Sequence, residues 1–314
     1  MKILKKIFPF FIISIFVVFI VNYYQNHKND FLFLNNISFI NIFTIIILCF
    51  FYLITETVIL KKIIKFYDKK SKFNDCFLVI CTTYLCNTFI QFSGLGYRAY
   101  YLKKNKNIDI NKFILLSLFI ILVELLTFAL LSFIFLIIFD ILNKDIKIYS
   151  FIYTFLTCII CASLISIFYN RKIINFLLKF NFITNIKFIS FILNYFLSFD
   201  LKKFKLFFFK FIYLFILQFI ILFIIFLMCT GVLELNNSIL FSLIVTMSTD
   251  LSFVFTITPY AIGISETFIF FSSNNFDIKL SEILYITNIF RLSMFLVYSF
   301  FGFINLYWFS KKII

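Results

Sequence analysis

The sequence predicts an all-α fold, a polytopic bundle of transmembrane helices, and three observations support this class. Of the 314 residues, 63% are hydrophobic and only 14% are charged, and the mean hydropathy is +1.07. With this composition a soluble domain has too few polar residues to cover its surface, whereas a bilayer accepts apolar surface. Several apolar runs reach the roughly 20 residues that a helix needs to cross the hydrocarbon core. These runs lack the strict alternation of a transmembrane barrel, so helices are expected.

Six apolar runs qualify as full transmembrane helices, and each is bounded by a polar or charged connection. The first run follows Lys2, Lys5 and Lys6, and we interpret it as an uncleaved helix because no small-residue cleavage site comes after it. Eight spans, two of them kinked, are the alternative count. The whole chain, 1–314, is expected to form a single integral-membrane domain. The six predicted spans are 3–21, 37–60, 113–139, 149–169, 206–230 and 283–309.

Two further apolar stretches fit poorly as ordinary spans because each contains or ends at a Gly or Pro. We interpret 76–98 and 238–271 as re-entrant hairpins, which enter the membrane and return to the same side. This topology places both termini in the cytoplasm and segment 170–205 at the inner membrane surface. It follows the positive-inside rule and predicts a multi-pass protein of the plasma (inner) membrane. Few cationic residues then lie outside, namely Lys28, Lys144, Lys147 and Lys279.

Glycine and proline are rare in this chain, yet they cluster. The chain has five Gly and two Pro, and Gly94, Gly96, Pro259 and Gly263 lie in two short stretches. When Gly96 is aligned with Gly263, the two stretches form a weak internal repeat. Broken backbone at membrane depth requires protein or a watery cavity to satisfy its polar groups, and paired breaks of this kind are frequent in transporters with a midplane site. A helix kink or a tight interfacial turn is the alternative.

Six ionisable residues lie in or at the ends of apolar runs, where a charge costs about 2.5–3.5 kcal/mol. One is Glu56, in the second predicted span. The other five lie within or near the interrupted segments or on helices that follow them. We expect the guanidinium groups to hold a phosphate, because Arg stays charged and offers a planar fork of donors, and the acids to neutralise them. Ion pairs that only fix helix packing are the alternative. The five candidate substrate-binding residues are Arg98, Glu124, Asp250, Glu266 and Arg291.

Other functional classes have little support in the sequence. The net charge of +15 comes from basic residues between apolar runs and not from a separate domain, so nucleic-acid binding is not expected. Cys158 and Cys161 have the spacing of a metal or redox pair, but the chain has one His and no second such pair. No nucleotide-binding motif and no set of catalytic side chains is evident. We therefore predict no metal, no cofactor and no catalytic residue.

Four short motifs occur in order along the chain and together resemble a known family. They are Gly94-Leu95-Gly96-Tyr97-Arg98-Ala99, Glu124 on the following helix, the run 259–266 from Pro to Glu, and Arg291-Leu292 followed by Gly302. Over most of 40–309 the pattern is similar to the integral-membrane, flippase-like region of lysylphosphatidylglycerol synthetases. Two positions depart from the family pattern: Phe92 replaces a Pro in the first motif, and Ser265 replaces an Arg before the Glu of the second. The resemblance implies a stand-alone member without the synthase domain.

The resemblance implies a membrane lipid translocase that moves a phospholipid or an aminoacylated phospholipid between leaflets. The expected partners are membrane lipids, anionic or aminoacylated, and a synthase or glycosyltransferase is the candidate protein partner. Two alternatives stay open. One is a membrane enzyme acting on a lipid-linked substrate, with Glu124, Asp250 or Glu266 as acid or base. The other is an accessory subunit of a lipid-linked glycosyltransferase or aminoacyl-lipid synthase.

Overall fold

The computed structural model describes residues 38–90, 92–143, 201–231, 238–254, 261–273 and 278–311, together with the isolated positions 18, 21, 22, 25, 175, 179 and 233. Within these ranges the chain is helical and contains no strand. The helices are α1 (Phe39–Phe66), α2 (Phe73–Phe89), α3 (Ser93–Lys106), α4 (Ile110–Asn143), α5 (Leu201–Gly231), α6 (Ser238–Val254), α7 (Ile264–Ser273) and α8 (Leu280–Lys311). The predicted all-α class is confirmed.

Four helices, α1, α4, α5 and α8, are long and apolar enough to cross a membrane. They correspond to four of the six predicted spans and extend past the apolar runs, because a helix continues wherever its backbone hydrogen bonds are satisfied. The predicted spans 3–21 and 149–169 and nearly all of segment 170–205 lie outside the described residues. The fold is therefore a helical membrane bundle.

The first interrupted segment forms an antiparallel helical hairpin of α2 and α3. Near its tip the Gly94 N–H donates to Asn87 Oδ1 over 2.8 Å. One helical turn farther along α3, Arg98 Nε donates to Thr83 Oγ1 over 3.4 Å. At the far end of α3, Lys106 Nζ donates to the carbonyl of Lys70 over 2.8 Å, just before α2 begins. The end of α3 thus lies beside the start of α2, as a re-entrant segment requires. The placement of this hairpin in a bilayer stays a prediction.

The break in this hairpin lies just before the glycines that the sequence singled out. Phe92 adopts the left-handed conformation with φ 61°, and α3 begins at the next residue, so Gly94 and Gly96 are helical. A Cβ on Gly94 would lie 2.1 Å from the carbonyl oxygen of Thr83, whereas one on Gly96 would meet no atom within 4 Å. Gly94 is therefore required because α2 and α3 pack closely, and Gly96 leaves open space beside α3.

The second interrupted segment contains α6 and the short helix α7, which pack against each other. The bend before α7 contains Ala261 with φ 56° and Gly263 with φ 83°. A positive φ is costly for a residue with a Cβ, so Gly263 is suited to its position and Ala261 is held by its surroundings. Pro259, the other predicted break residue, lies outside the described residues.

The longest helices enclose these hairpins. Helix α8 packs against α1 and α2, and α5 packs against α1, α4 and α6. At the contact of α8 with α2, a Cβ on Gly302 would lie 3.1 Å from the carbonyl oxygen of Cys81, so the backbones approach closely there. Small residues at helix contacts are the usual means of association in a bilayer, where lipid is as apolar as the helices. This packing brings polar residues of separate helices into the bundle interior.

Candidate functional site

Two of the five predicted site residues form a buried ion pair between α7 and α8. The guanidinium of Arg291 donates from Nη1 to Glu266 Oε1 and, over 3.2 Å, from Nη2 to Glu266 Oε2. Only 12% of the Arg291 side chain and 4% of the Glu266 side chain are exposed. Two parallel hydrogen bonds between a guanidinium and a carboxylate are among the strongest side-chain contacts in proteins. Arg291 and Glu266 therefore fasten α7 to α8.

Neutral groups complete the coordination of this pair. Glu266 Oε2 accepts from the Gly263 N–H and from the Ser265 hydroxyl, each over 2.9 Å. The Thr287 hydroxyl donates to Glu266 Oε1 over 3.1 Å. Arg291 Nη2 also donates to Ser265 Oγ and to the carbonyl of Ala261. Both partners of the ion pair thus have several hydrogen bonds, which offset the cost of burying the charges.

Arg98 has a different environment. It is half-buried on α3, with the buried residues Gly94 and Leu102 one turn before and one turn after it. Its Nε donates to the neutral hydroxyl of Thr83, and within the described part of the chain no carboxylate lies in salt-bridge contact with it. Arg98 lies in the second turn of α3. Gly96, which leaves open space beside the helix, is two residues before Arg98 and therefore lies on a different face of α3.

Three carboxyl groups from separate helices interact electrostatically in the bundle. Glu124 of α4 interacts with Asp250 of α6, with Glu56 of α1 and with Arg98 of α3. Tyr84 of α2 also interacts with Glu56, Glu124 and Arg98. We call Glu56, Arg98, Glu124 and Asp250 the interior charge cluster. It contains three acids and one base.

The interior charge cluster faces an internal space and not lipid. Glu124 is half-buried, and most of the residues one turn before and after it on α4 are buried, although Ile121 is exposed. Glu56 is half-buried between buried residues of α1, and Asp250 is half-buried and follows buried residues of α6. Partial exposure of a side chain whose helical neighbours are covered requires a gap within the bundle. The buried neighbours are Ile120, Thr127 and Phe128 on α4, Leu53, Ile59 and Leu60 on α1, and Leu243, Thr246 and Met247 on α6.

A buried amide extends the interior charge cluster to α5. Gln218 has no exposed surface, and its Nε2 donates to Glu56 Oε1 over 2.8 Å. Two buried acceptors near these groups, Gln218 Oε1 and Asp250 Oδ2, have no hydrogen-bond partner. A buried polar atom that lacks a partner costs about 1–3 kcal/mol, so both oxygens require a donor that the described residues do not provide.

The structure thus divides the five predicted residues into two groups, Glu266 with Arg291 and Glu124 with Asp250 and Arg98. The sequence did not select Glu56, because it lies far along the chain from both breaks. Of the other polar residues that complete the two groups, it singled out Ser265 alone, as a departure from the family pattern. Gln218 could have been selected from the sequence, because it is a single amide side chain inside the apolar run of α5. The others, Thr83 and Thr287, are too common in membrane helices to be selected in advance.

Metal binding is not indicated in the described residues. No three His, Cys, Asp or Glu side chains among them converge as metal ligands. The carboxyl groups of the interior charge cluster do not form such a group either. Cys158 and Cys161 lie outside the described residues.

Comparison with known proteins gives one match. A family model described as the lysylphosphatidylglycerol synthase TM region matches residues 12–302. No curated protein and no solved structure matches the chain.

Proposed function

This chain belongs to the lysylphosphatidylglycerol synthase TM region family, and from that premise we propose that it is a lipid translocase. Its cargo is a phospholipid or an aminoacylated phospholipid, which it moves between the leaflets of the inner membrane with both termini in the cytoplasm. The family and the helical bundle support a membrane protein concerned with lipids. The movement of lipid is the proposal, and it depends above all on Arg98.

Arg98 is the better phosphate ligand of the two intramembrane arginines. Arg291 already donates to both oxygens of Glu266, and a phosphate would have to break that pair. The guanidinium of Arg98 contacts one neutral hydroxyl through Nε, so its other donors suit a bidentate bond to a phosphate. We therefore assign phosphate binding to Arg98 and a positioning role to Arg291.

The tip of the first hairpin suits the apolar part of the same molecule. Phe89, Ile90 and Phe92 each expose more than half of their surface at this tip. They lie within about two helical turns of Arg98, so a cationic group and an exposed apolar surface occur together. A phospholipid has the matching pair of features, a phosphate and acyl chains. In this proposal the headgroup lies by Arg98 while the acyl chains remain in the bilayer along the hairpin tip.

The interior charge cluster gives Arg98 a counter-charge when no lipid is bound. Glu124 interacts with Arg98 across the bundle, and an unpaired guanidinium at membrane depth is costly. A phosphate that approaches Arg98 competes with this carboxyl group. In this proposal the competition lets the headgroup bind at Arg98 and also allows its release.

Leaflet labelling in cells tests the proposal and separates it from an enzyme. A strain that lacks the protein is treated with an amine-reactive reagent that does not cross the membrane, and total lipids are measured in parallel by mass spectrometry. A translocase predicts that the fraction of aminolipid exposed in the outer leaflet changes while total lipid composition does not. A missing lipid species with an unchanged leaflet ratio contradicts translocation and favours an enzyme.

A further inference from the structure

We propose that Glu56, Glu124 and Asp250 together form a proton-binding site inside the bundle. The first reason is charge. Full ionisation would set three carboxylates against the single guanidinium of Arg98 and would leave two negative charges without compensation. Carboxylates buried in a medium of low dielectric constant are stable only when they are paired, coordinate a metal, or take up a proton.

In the part of the chain that the structure describes, the groups around the cluster offer no further positive charge. The charged and titratable side chains that face it are Tyr52 and Glu56 on α1, Tyr84 on α2, Arg98 on α3, Glu124 on α4 and Asp250 on α6. Neither tyrosine can supply positive charge, because a phenol is neutral or negative in both of its protonation states. Among the described residues no three acid side chains converge as metal ligands. This arrangement favours protons as the source of the missing positive charge.

The second reason is the hydrogen bonding of Gln218. Its amide already donates to Glu56 Oε1, while its own oxygen is fully buried and lacks a donor. A proton held by the three acids would supply such a donor, because a neutral carboxylic acid donates through its O–H and a carboxylate only accepts. The same need exists at Asp250 Oδ2, a buried acceptor without a partner. Both unsatisfied oxygens thus point to protons that belong to the site.

Proton exchange at this site is chemically simple. Each binding event forms one O–H bond on a carboxylate with a proton taken from water in the internal space, and release breaks that bond and returns the proton to water. The half-buried side chains of Glu56, Glu124 and Asp250 leave room for such water. Coupling of these protons to lipid movement rests on the proposed translocase function, but proton binding itself does not.

Infrared spectroscopy on the purified full chain in vesicles of neutral phospholipid tests the site. We expect an absorption band of protonated carboxyl groups at neutral pH, with part of its amplitude lost in Glu56→Gln. The matched control is Asp75→Asn, an exposed carboxyl in the first turn of α2, which should leave the band unchanged. Gln218→Met keeps the Glu56 carboxyl and removes its partner, so the frequency of the band should shift. This second variant does not depend on the folding of Glu56→Gln.

Three results would overturn the proton site. The first is the absence of a protonated-carboxyl band at neutral pH. The second is a band that persists when each of Glu56, Glu124 and Asp250 is replaced by its amide. The third is a band that disappears when Na⁺ replaces choline in the buffer at constant pH. Lipid transfer by a protein without such a band would refute the proton site and leave the translocase intact. A band that behaves as expected in a protein that moves no lipid would support the proton site and refute the translocase.

Discussion

Arg291 of α8 donates to both carboxylate oxygens of Glu266 of α7, across 25 residues of sequence. Ser265 lies between them and contacts both, at the position where the family pattern has an Arg. A second cation there would compete with Arg291 for the same carboxylate, whereas a hydroxyl donates to Glu266 and accepts from Arg291. The departure from the family pattern is thus compatible with a complete ion pair, and the pair joins the second interrupted segment to the last long helix.

Removing one partner of this pair should destabilise the protein. Arg291→Gln leaves Glu266 buried without its counter-charge, and the expected loss is about 3–5 kcal/mol. Thermal unfolding in detergent measures the loss. The double variant Glu266→Gln with Arg291→Gln should recover part of it, because no uncompensated charge remains. Lys104→Gln, on an exposed position of α3, is the control and should change little. Equal stability of Arg291→Gln and the unmodified protein would contradict the assignment of a structural role.

Gly94 and Gly96 provide a matched test of the first hairpin. Gly94→Ala forces a methyl group against the carbonyl of Thr83, and overpacking of this kind costs about 1–3 kcal/mol. Gly96→Ala meets no neighbour and gains helix propensity, so its stability should be unchanged or slightly higher. The two unfolding temperatures are compared in detergent. If both variants lose the same stability, close packing at Gly94 is not the reason for its glycine.

The hairpin also predicts where its two ends lie. Lys69 and Lys104 are exposed near the start of α2 and near the end of α3, and the contact of Lys106 with Lys70 brings these ends together. Single cysteines at positions 69 and 104, in a background without native cysteines, should therefore react with an impermeant thiol reagent from the same side of the membrane. Reaction from opposite sides would show that the segment crosses the bilayer, in agreement with the eight-span alternative.

The sequence predicted the membrane bundle well because hydrophobicity and length are local properties. The four described spans were found within a few residues of α1, α4, α5 and α8. The position of the first break was less accurate: the glycines indicated it, but Phe92 adopts the left-handed conformation and Gly94 serves helix packing. A single sequence does not distinguish these two uses of glycine, because the contact with Thr83 depends on how the hairpin closes.

The candidate site residues were selected from the sequence because they are intramembrane charges, and which of them lie together was not predictable. Glu266 and Arg291 were both chosen, yet their pairing depends on the packing of α7 against α8. Glu56 was set aside because of its distance in sequence, although α1 brings it to Glu124 and Asp250. Only the three-dimensional packing therefore separates the pair of Glu266 and Arg291 from the interior charge cluster.

Transfer of lipid by the purified protein tests the central claim most directly. The protein is reconstituted into liposomes with a fluorescent anionic phospholipid in both leaflets, and an impermeant quencher then reports how fast inner-leaflet lipid reaches the outside. The unmodified protein should transfer lipid well above empty liposomes. Arg98→Gln should be slower by roughly tenfold or more, because a hydrogen bond to a charged group contributes about 1.5–3 kcal/mol, while Lys104→Gln should match the unmodified protein. Transfer no faster than in empty liposomes, or an Arg98→Gln variant as fast as the unmodified protein, would contradict a translocase that binds phosphate at Arg98.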